Sequence, residues 1–413
     1  MKIRSRLLSA ILILALFVSL PFAAQAAPAS ASPVPTQDDT NALQQQLLVS
    51  YGFLGGDVTA VNPHASYSAS ERTSEMVQSN LYPSWPQGLS VSAEAAVLLD
   101  AGTGTVLYGK NVHEKLYPAS ITKMLTALLA MDCLSLTDTV TVSEQAIAQS
   151  GTSGSNAGLK AGDVISVEDA LYAMMLPSAN EAANAIGEKI AGTQEAFAEL
   201  MNQKAASLGC TDSHFANTNG MPDSNHYTSA YDFAIIARAY FANPTLAAIS
   251  NTTAWTIHVL GGNSRTIAVT GHHDFVSGAR PLAGVIGGKT GYTRASERTL
   301  VTGCEINGRR LICVVLKETY PSHYTDSQNL FQYGYSNFAC VNLQDPAVRQ
   351  LYNDATGISS RFPGYELSEN GALVMPSALI TQPQLLTPVL TSENTVSFFY
   401  AGNLMGSVQL KQK

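Results

Sequence analysis

The stretch Tyr117-Pro118-Ala119-Ser120-Ile121-Thr122-Lys123 opens a segment, Ala119 to Met131, whose only charge is Lys123. Apolar residues recur at Ile121, Met124, Leu125, Leu128 and Leu129. That spacing is one face of a helix. The other positions, Ala119, Thr122, Thr126, Ala127 and Ala130, are small. A helix apolar or small nearly all round belongs in a core. Ser120 and Lys123 stand one helical turn apart at its start, so their side chains can meet. One reading is a serine nucleophile with a lysine partner inside the protein. The competing reading is a chance Ser-x-x-Lys on a core helix.

Before this segment, Ala95 to Leu99 and Thr105 to Tyr108 read as strands around Asp100-Ala101-Gly102-Thr103-Gly104, a hairpin pattern. After it the chain turns helical. Ser166-Val167-Glu168-Asp169 resembles a capping box and starts a helix through Met175. A second helix runs from Asn180 to Ile190 and stops at Gly192, with Ser178-Ala179-Asn180 in the break between the two. Gln194 to Ser207 and Ser229 to Phe241 follow as helices. From Ala254 the pattern is strand-like, with Thr299 to Ile306 and Arg309 to Lys317 alternating around Asn307-Gly308. Asp326 to Asn337 is expected to close the region as a helix.

Two short elements join Ser120-x-x-Lys123, the only Ser-x-x-Lys in the chain. One is Ser178-Ala179-Asn180; the other is Lys289-Thr290-Gly291, after a run holding Gly284, Gly287 and Gly288. Singly, the first could be helix capping and the second a β-turn. Together, in this order, they match the motif set of serine β-lactamases and penicillin-binding proteins, with Ala179 where that pattern has Asp.

The chemistry asks for these residue types. A free serine is a poor nucleophile, so Ser120 needs a base. Lys123 can serve only when neutral, which burial and a second cation, Lys289, both favour. Ser178 can relay a proton to a leaving amine, and Asn180 can bond Lys123 or the substrate amide. Lys289 and Thr290 suit a substrate carboxylate, and Gly291 admits close approach of a strand. The backbone N–H groups of Ser120 and Tyr292 are placed to hold an oxyanion. The candidate catalytic residues are thus Ser120, Lys123 and Ser178. The candidate substrate-binding residues are Asn180, Lys289, Thr290, Gly291 and Tyr292.

Residues from about 90 to 340 resemble the low-molecular-mass D-alanyl-D-alanine carboxypeptidases, penicillin-binding serine peptidases of bacterial cell walls. Beyond the three motifs, the likeness is carried by Lys115 to Lys123, Asp163 to Asp169, Leu176 to Ala183, Phe215 to Met221 and His226 to Asp232. The resemblance implies an α+β fold like that of serine β-lactamases and transpeptidases. Its central antiparallel sheet is flanked by helices, with an α-rich part, and a small C-terminal all-β domain follows. It implies removal of the terminal D-alanine from peptidoglycan stem pentapeptides through an acyl-enzyme on Ser120. It also implies β-lactam antibiotics as covalent inhibitors. A serine β-lactamase, a DD-endopeptidase and a non-catalytic cell-wall-binding protein are the alternatives. The chain departs from the family pattern at Arg294-Ala295-Ser296-Glu297-Arg298 and at His323.

Composition bounds the rest. Of 413 residues, 46% are hydrophobic and 13% charged, which describes a globular chain. A net charge of −8 excludes nucleic acid as the main partner, since phosphate binding needs a basic face. No cofactor is expected, and the eight histidines form no metal-binding spacing. The adjacent His272 and His273 read as solvated or capping, and His226 as structural. Five scattered cysteines read as free thiols, with Cys133 buried and Cys304 opposite Leu311 rather than Cys313.

Residues 1–26 read as a secretory signal: Lys2, Arg4 and Arg6, then an apolar run, then Ala24-Gln25-Ala26. The protein is expected to be secreted, at the cell envelope, touching a membrane only through that signal if uncleaved. Residues 27–88 read as a flexible Ala/Ser/Pro-rich tether, 89–340 as the catalytic domain, and 341–413 as the small β-rich domain.

Overall fold

The hairpin expected around Asp100 forms as β1 (Ala95–Asp100) and β2 (Val106–Lys110). The Asp100 carboxylate accepts from the N–H and Oγ1 of Thr103, both at 3.0 Å, which closes the turn. The structure is a computed structural model that describes Arg72 and residues 76–413, apart from residues 152–153, 263 and 393. The expected signal and the expected tether as far as residue 75, Arg72 excepted, lie outside the described residues.

The helical part follows. A 3-10 turn at Ala119–Thr122 runs into α1 (Lys123–Cys133). Next come the short pair β3 (Thr139–Thr141) and β4 (Val164–Ser166), with α2 (Glu144–Ala148) between them. Then come α3 (Val167–Met175), α4 (Asn180–Ala191) and α5 (Gln194–Ser207). Ser166 caps α3 by accepting from Asp169 N, one half of a capping box, while the Asp169 carboxylate accepts from Trp255 Nε1 and His258 N. Helices α6 (Ala230–Ala242) and α7 (Pro244–Ser250) precede the ribbon β5 (Ala254–Val259) and β6 (Arg265–Thr270). One short turn later, α8 (Asp274–Ser277), the chain enters the main sheet.

That sheet is antiparallel, in the order β2-β1-β9-β8-β7, with β7 (Val285–Thr293), β8 (Glu297–Ile306) and β9 (Arg309–Glu318). Every residue of β1 is buried, and so are the last eight of β9, because helices cover both faces. α6 packs on β1 and β9, and α9 (Ser322–Asn337) packs on β8 and β9. Cys304 pairs with Leu311, as the Asn307-Gly308 turn dictates. The five cysteines are free, but Cys133 is exposed: the apolar face of α1 ends at Ala130 and the last turn reaches solvent.

Two expectations need correction. Residues 76–88 are not tether-like. Val77, Tyr82 and Trp85 are buried, and the Trp85 indole donates to Leu107 O at 2.9 Å. Arg72 reaches Glu297 at 2.6 Å and Lys317 O at 2.7 Å. These anchors are isolated in a polar stretch, so no periodicity betrays them. The C-terminal part is not all-β. β10 (Phe338–Asn342) and a helix at Pro346–Ala355 precede the strands, the helix capped by Asp345 with Pro346 in its first turn. Then follow β11 (Tyr365–Leu367), β12 (Ala372–Pro376), β13 (Thr387–Ser392), β14 (Thr395–Tyr400) and β15 (Asn403–Gln412). β11-β15-β14-β13 form a four-stranded sheet, and β12 pairs with β10.

Candidate active site

Tight winding sets the first pair. In a 3-10 turn, residues three apart eclipse one another. The turn at Ala119–Thr122 therefore stacks Lys123 on Ser120, with Nζ 2.9 Å from Ser120 Oγ. Ala119 carries the strain of that turn at φ 52, a conformation rare for alanine. Ser120 is half-buried at the cavity floor, while Lys123 is fully buried.

Lys123 has two further partners: Asn180 Oδ1 and Asn219 O, both at 2.7 Å. A neutral amine has two N–H donors and one lone pair. With both donors taken by these oxygens, the lone pair is left facing Ser120 Oγ–H. Burial holds Lys123 well below the ordinary lysine range, and the nearby Lys289 lowers it further. Geometry and charge thus agree on a lysine that can accept the serine proton.

Each partner is itself fixed. Asn180 begins α4, and its Nδ2 donates to Ser150 O at 2.8 Å, so its amide is engaged at both ends. The Asn219 carbonyl is set by Asn184, whose Oδ1 accepts from Thr218 Oγ1 at 2.6 Å and Asn219 Nδ2 at 3.0 Å. Gly220 follows at φ +87; a Cβ there would lie 1.9 Å from Ala119 O. His226 Nδ1 accepts from Ala216 N, so Nε2 carries the proton toward Thr122 Oγ1 at 2.8 Å. Burial pushes His226 down to about 3, so it stays neutral. It props the turn that carries Ser120.

The second motif sits on a strained serine, Ser178 at φ 66, in the break between α3 and α4. Lys289 Nζ donates to Ser178 Oγ at 3.0 Å and to Thr290 O at 2.9 Å. Burial lowers Lys289 to about 7. Gly291 explains itself by distance: a Cβ would fall 2.2 Å from Thr299 Oγ1 and 3.0 Å from Ser120 N. Only glycine lets β7 lie against the turn that carries Ser120, and Thr299 Oγ1 locks the contact by donating to Pro118 O at 2.8 Å.

These groups open on a cavity of about 550 Å³, lined on its floor by Ser120, Ser178, Asn180, Thr290 and Gly291. Lys123 and Lys289 lie behind that lining. Seven of the eight residues singled out from sequence are thus side by side, and Tyr292 stands at the rim, 58% exposed. Arg294, Arg298, Tyr320 and His323 also line the cavity. His323 is buried, and that burial lowers it to about 4. His273 is buried too, contrary to expectation: Phe275 and Tyr324 close over it, and its Nε2 lies 3.1 Å from Thr302 Oγ1. Sequence reasoning gave no chemical role to Asn219, Gly220 or Asn184. The carbonyl of Asn219 acts through its backbone, which no residue type announces.

Comparison with known proteins places this geometry. The family described as D-alanyl-D-alanine carboxypeptidase matches residues 82–319. A D-alanyl-D-alanine carboxypeptidase of Bacillus subtilis is 32% identical over 238 residues, 56% of this chain and 59% of the relative. Another, of Mycobacterium tuberculosis, is 32% identical over 250 residues, 59% of this chain and 82% of the relative. Among solved structures, a Streptomyces DD-transpeptidase matches with a TM-score of 0.58 at 27% identity, covering 61% of this chain and 100% of its own. Penicillin-binding protein 6B of Escherichia coli matches with a TM-score of 0.61 at 25% identity, covering 80% and 98%.

Proposed function

The chain belongs to the D-alanyl-D-alanine carboxypeptidase family of serine peptidases, and from that membership we propose that it releases the terminal D-alanine of peptidoglycan stem pentapeptides through an acyl-enzyme on Ser120. The observation that carries the reading is the placement of the buried Lys123 Nζ 2.9 Å from Ser120 Oγ, between Asn180 Oδ1 and Asn219 O.

In this mechanism Lys123 takes the Oγ proton as Ser120 attacks the carbonyl of the penultimate residue. The N–H groups of Ser120 and Tyr292 hold the oxyanion. The proton passes through Ser178, itself oriented by Lys289, to the amine of the departing D-alanine. Asn180 positions Lys123, while Thr290 and Gly291 align the substrate along β7. Water then hydrolyses the ester with Lys123 again as base.

β-Lactams are proposed to acylate the same serine and leave slowly. The described lining of the cavity holds one carboxylate, Asp274, and Arg280 engages it at 3.2 Å. That favours the peptidase over a β-lactamase. We place the reaction outside the cytoplasm, on the reading of residues 1–26; among the described residues no helix is long and apolar enough to cross a membrane.

The test is D-alanine release from a stem pentapeptide. Wild type is expected to release it, and Ser120→Ala to release none while keeping its fold. A folded wild type that releases no D-alanine defeats the proposal, and rapid penicillin turnover would transfer it to the β-lactamases.

A further inference from the structure

Two residues at one end of the main sheet have a left-handed backbone without being glycine: Glu297 at φ 51 and Lys317 at φ 53. Such conformations persist only where the surroundings hold them. Both stand at a bulge. Arg298 pairs with Glu318 and Leu300 with Val315, so Leu316 and Lys317 of β9 oppose Thr299 alone. Glu297 is the next residue of β8 beyond that bulge.

One guanidinium bonds to both residues. Arg72 Nη2 donates to Glu297 Oε1 at 2.6 Å and Nη1 to Oε2 at 3.1 Å, a two-bond fork. Nη1 also donates to Lys317 O at 2.7 Å. A fork of this kind fixes orientation as well as distance. Arg72 is itself buried and held: Lys110 Nζ donates to Arg72 O at 2.5 Å. Glu94 lies 3.8 Å from Arg72 Nε and 2.6 Å from Lys317 Nζ.

The bridged ends lead to the site. Glu297 pairs with Thr293, Arg298 with Tyr292, and Thr299 with Gly291. Thr299 and Gly291 are the pair that meets the turn carrying Ser120. Glu297 is two strand residues from Thr299, about 6.6 Å along β8. The turn between β7 and β8 is tied to itself, Thr293 N donating to Ser296 Oγ and Ser296 N to Thr293 Oγ1. Its placement against the sheet is therefore set at Glu297, where Arg72 grips. The family match spans residues 82–319, so Arg72 precedes it. Glu297 belongs to the stretch in which the chain departs from the family pattern.

We propose that Arg72 is a positioning residue for this active site: it clamps the bulged ends of β8 and β9 and so holds Gly291 and the Tyr292 N–H in register with Ser120. The inference rests on the peptidase reading above. Arg72 acts through Glu297 and Lys317, and the step it serves is the one in which the oxyanion forms. Losing one oxyanion donor outright costs about 10²- to 10³-fold in kcat, so a partial displacement should cost about tenfold.

The test compares Arg72→Gln, Glu297→Gln, the double variant and Trp85→Ala for kcat and KM of D-alanine release, with melting curves beside them. Trp85 anchors the same N-terminal stretch to Leu107 O of β2, away from β8. Each single variant of the pair should lower kcat about tenfold with KM within about threefold. The double variant should lose no more than the worse single, since all three break one interaction. Trp85→Ala should melt lower and keep kcat within about threefold. Wild-type kcat in either folded single variant, additive losses in the double, or an equal loss in Trp85→Ala overturns the assignment. The Glu297 side chain is 33% exposed, so Glu297→Gln carries the test even where Arg72→Gln does not fold. Hydrogen exchange at residues 292–299 needs no turnover: it should quicken at least tenfold in both single variants, and unchanged exchange overturns the clamp. The peptidase reading fails on absent D-alanine release by wild type; the positioning role fails on these comparisons alone.

Discussion

Gly220→Ala should disable the nucleophile without touching any chemical group. A methyl at this position would lie 1.9 Å from Ala119 O and 2.3 Å from Ala119 C, where real contacts stay beyond 3.0 Å. Relief therefore needs a shift of about 1 Å in the turn that carries Ser120. A displacement of about 1 Å in a catalytic group costs about a hundredfold in rate. The backbone at φ +87 adds a folding cost of about 1 kcal/mol. The two effects separate through Gly209→Ala, which carries the same kind of strain at φ +93 with nothing within 4 Å. Both variants should melt a few degrees lower, and only Gly220→Ala should lose activity. The assay is the rate at which a fluorescent penicillin acylates Ser120, with D-alanine release beside it. Acylation by folded Gly220→Ala at the wild-type rate refutes the reasoning, as does an equal loss in Gly209→Ala.

Lys123→Arg puts a permanent charge where the lysine is held neutral and cannot deprotonate; acylation should fall about 10²- to 10⁴-fold in single-turnover measurements, and a wild-type rate would remove Lys123 as base. Trp85→Ala removes a buried indole packed edge-on to Tyr82 and Phe338, and should cost about 3 to 5 kcal/mol in urea unfolding. A change below about 1 kcal/mol would return this segment to the tether. His273 is held down to about 3, against 6.5 when unfolded. The unfolded chain therefore binds a proton that the folded chain refuses, and stability falls as pH drops from 6.5 toward 3, by about 1.4 kcal/mol per pH unit. His226 acts the same way, while Asp232, raised to about 6, opposes them below that pH. His273→Gln should flatten the loss of melting temperature between pH 6.5 and 4.5; an unchanged slope would place the proton elsewhere.

The sequence made the helices and the reactive groups legible for a physical reason. Ser166, Gly192 and the Asn307-Gly308 turn act locally, so their signals lie within a few residues. Ser120 and Lys123 stand out because an apolar helix tolerates one cation only with a purpose. What stayed hidden acts at long range. The partner of Lys123 at Asn219 is a carbonyl 96 residues away. The burial of Trp85 depends on Phe338, and that of His273 on Tyr324. The helix at Pro346 was within reach, since Asp345-Pro346 is a start signal, and the surrounding prolines masked it.

The order β2-β1-β9-β8-β7 also fixes when the molecule can fold. β1 finds its inner neighbour only in β9, so Leu98 waits for Cys313. A ribosome adding 5 to 20 residues per second needs roughly 10 to 40 s to travel from Asp100 to Glu318. Throughout that time the hairpin presents an apolar edge with no sheet to join, and closing so long a loop is slow in itself. The central sheet is therefore complete only once the residues of β9 have been added.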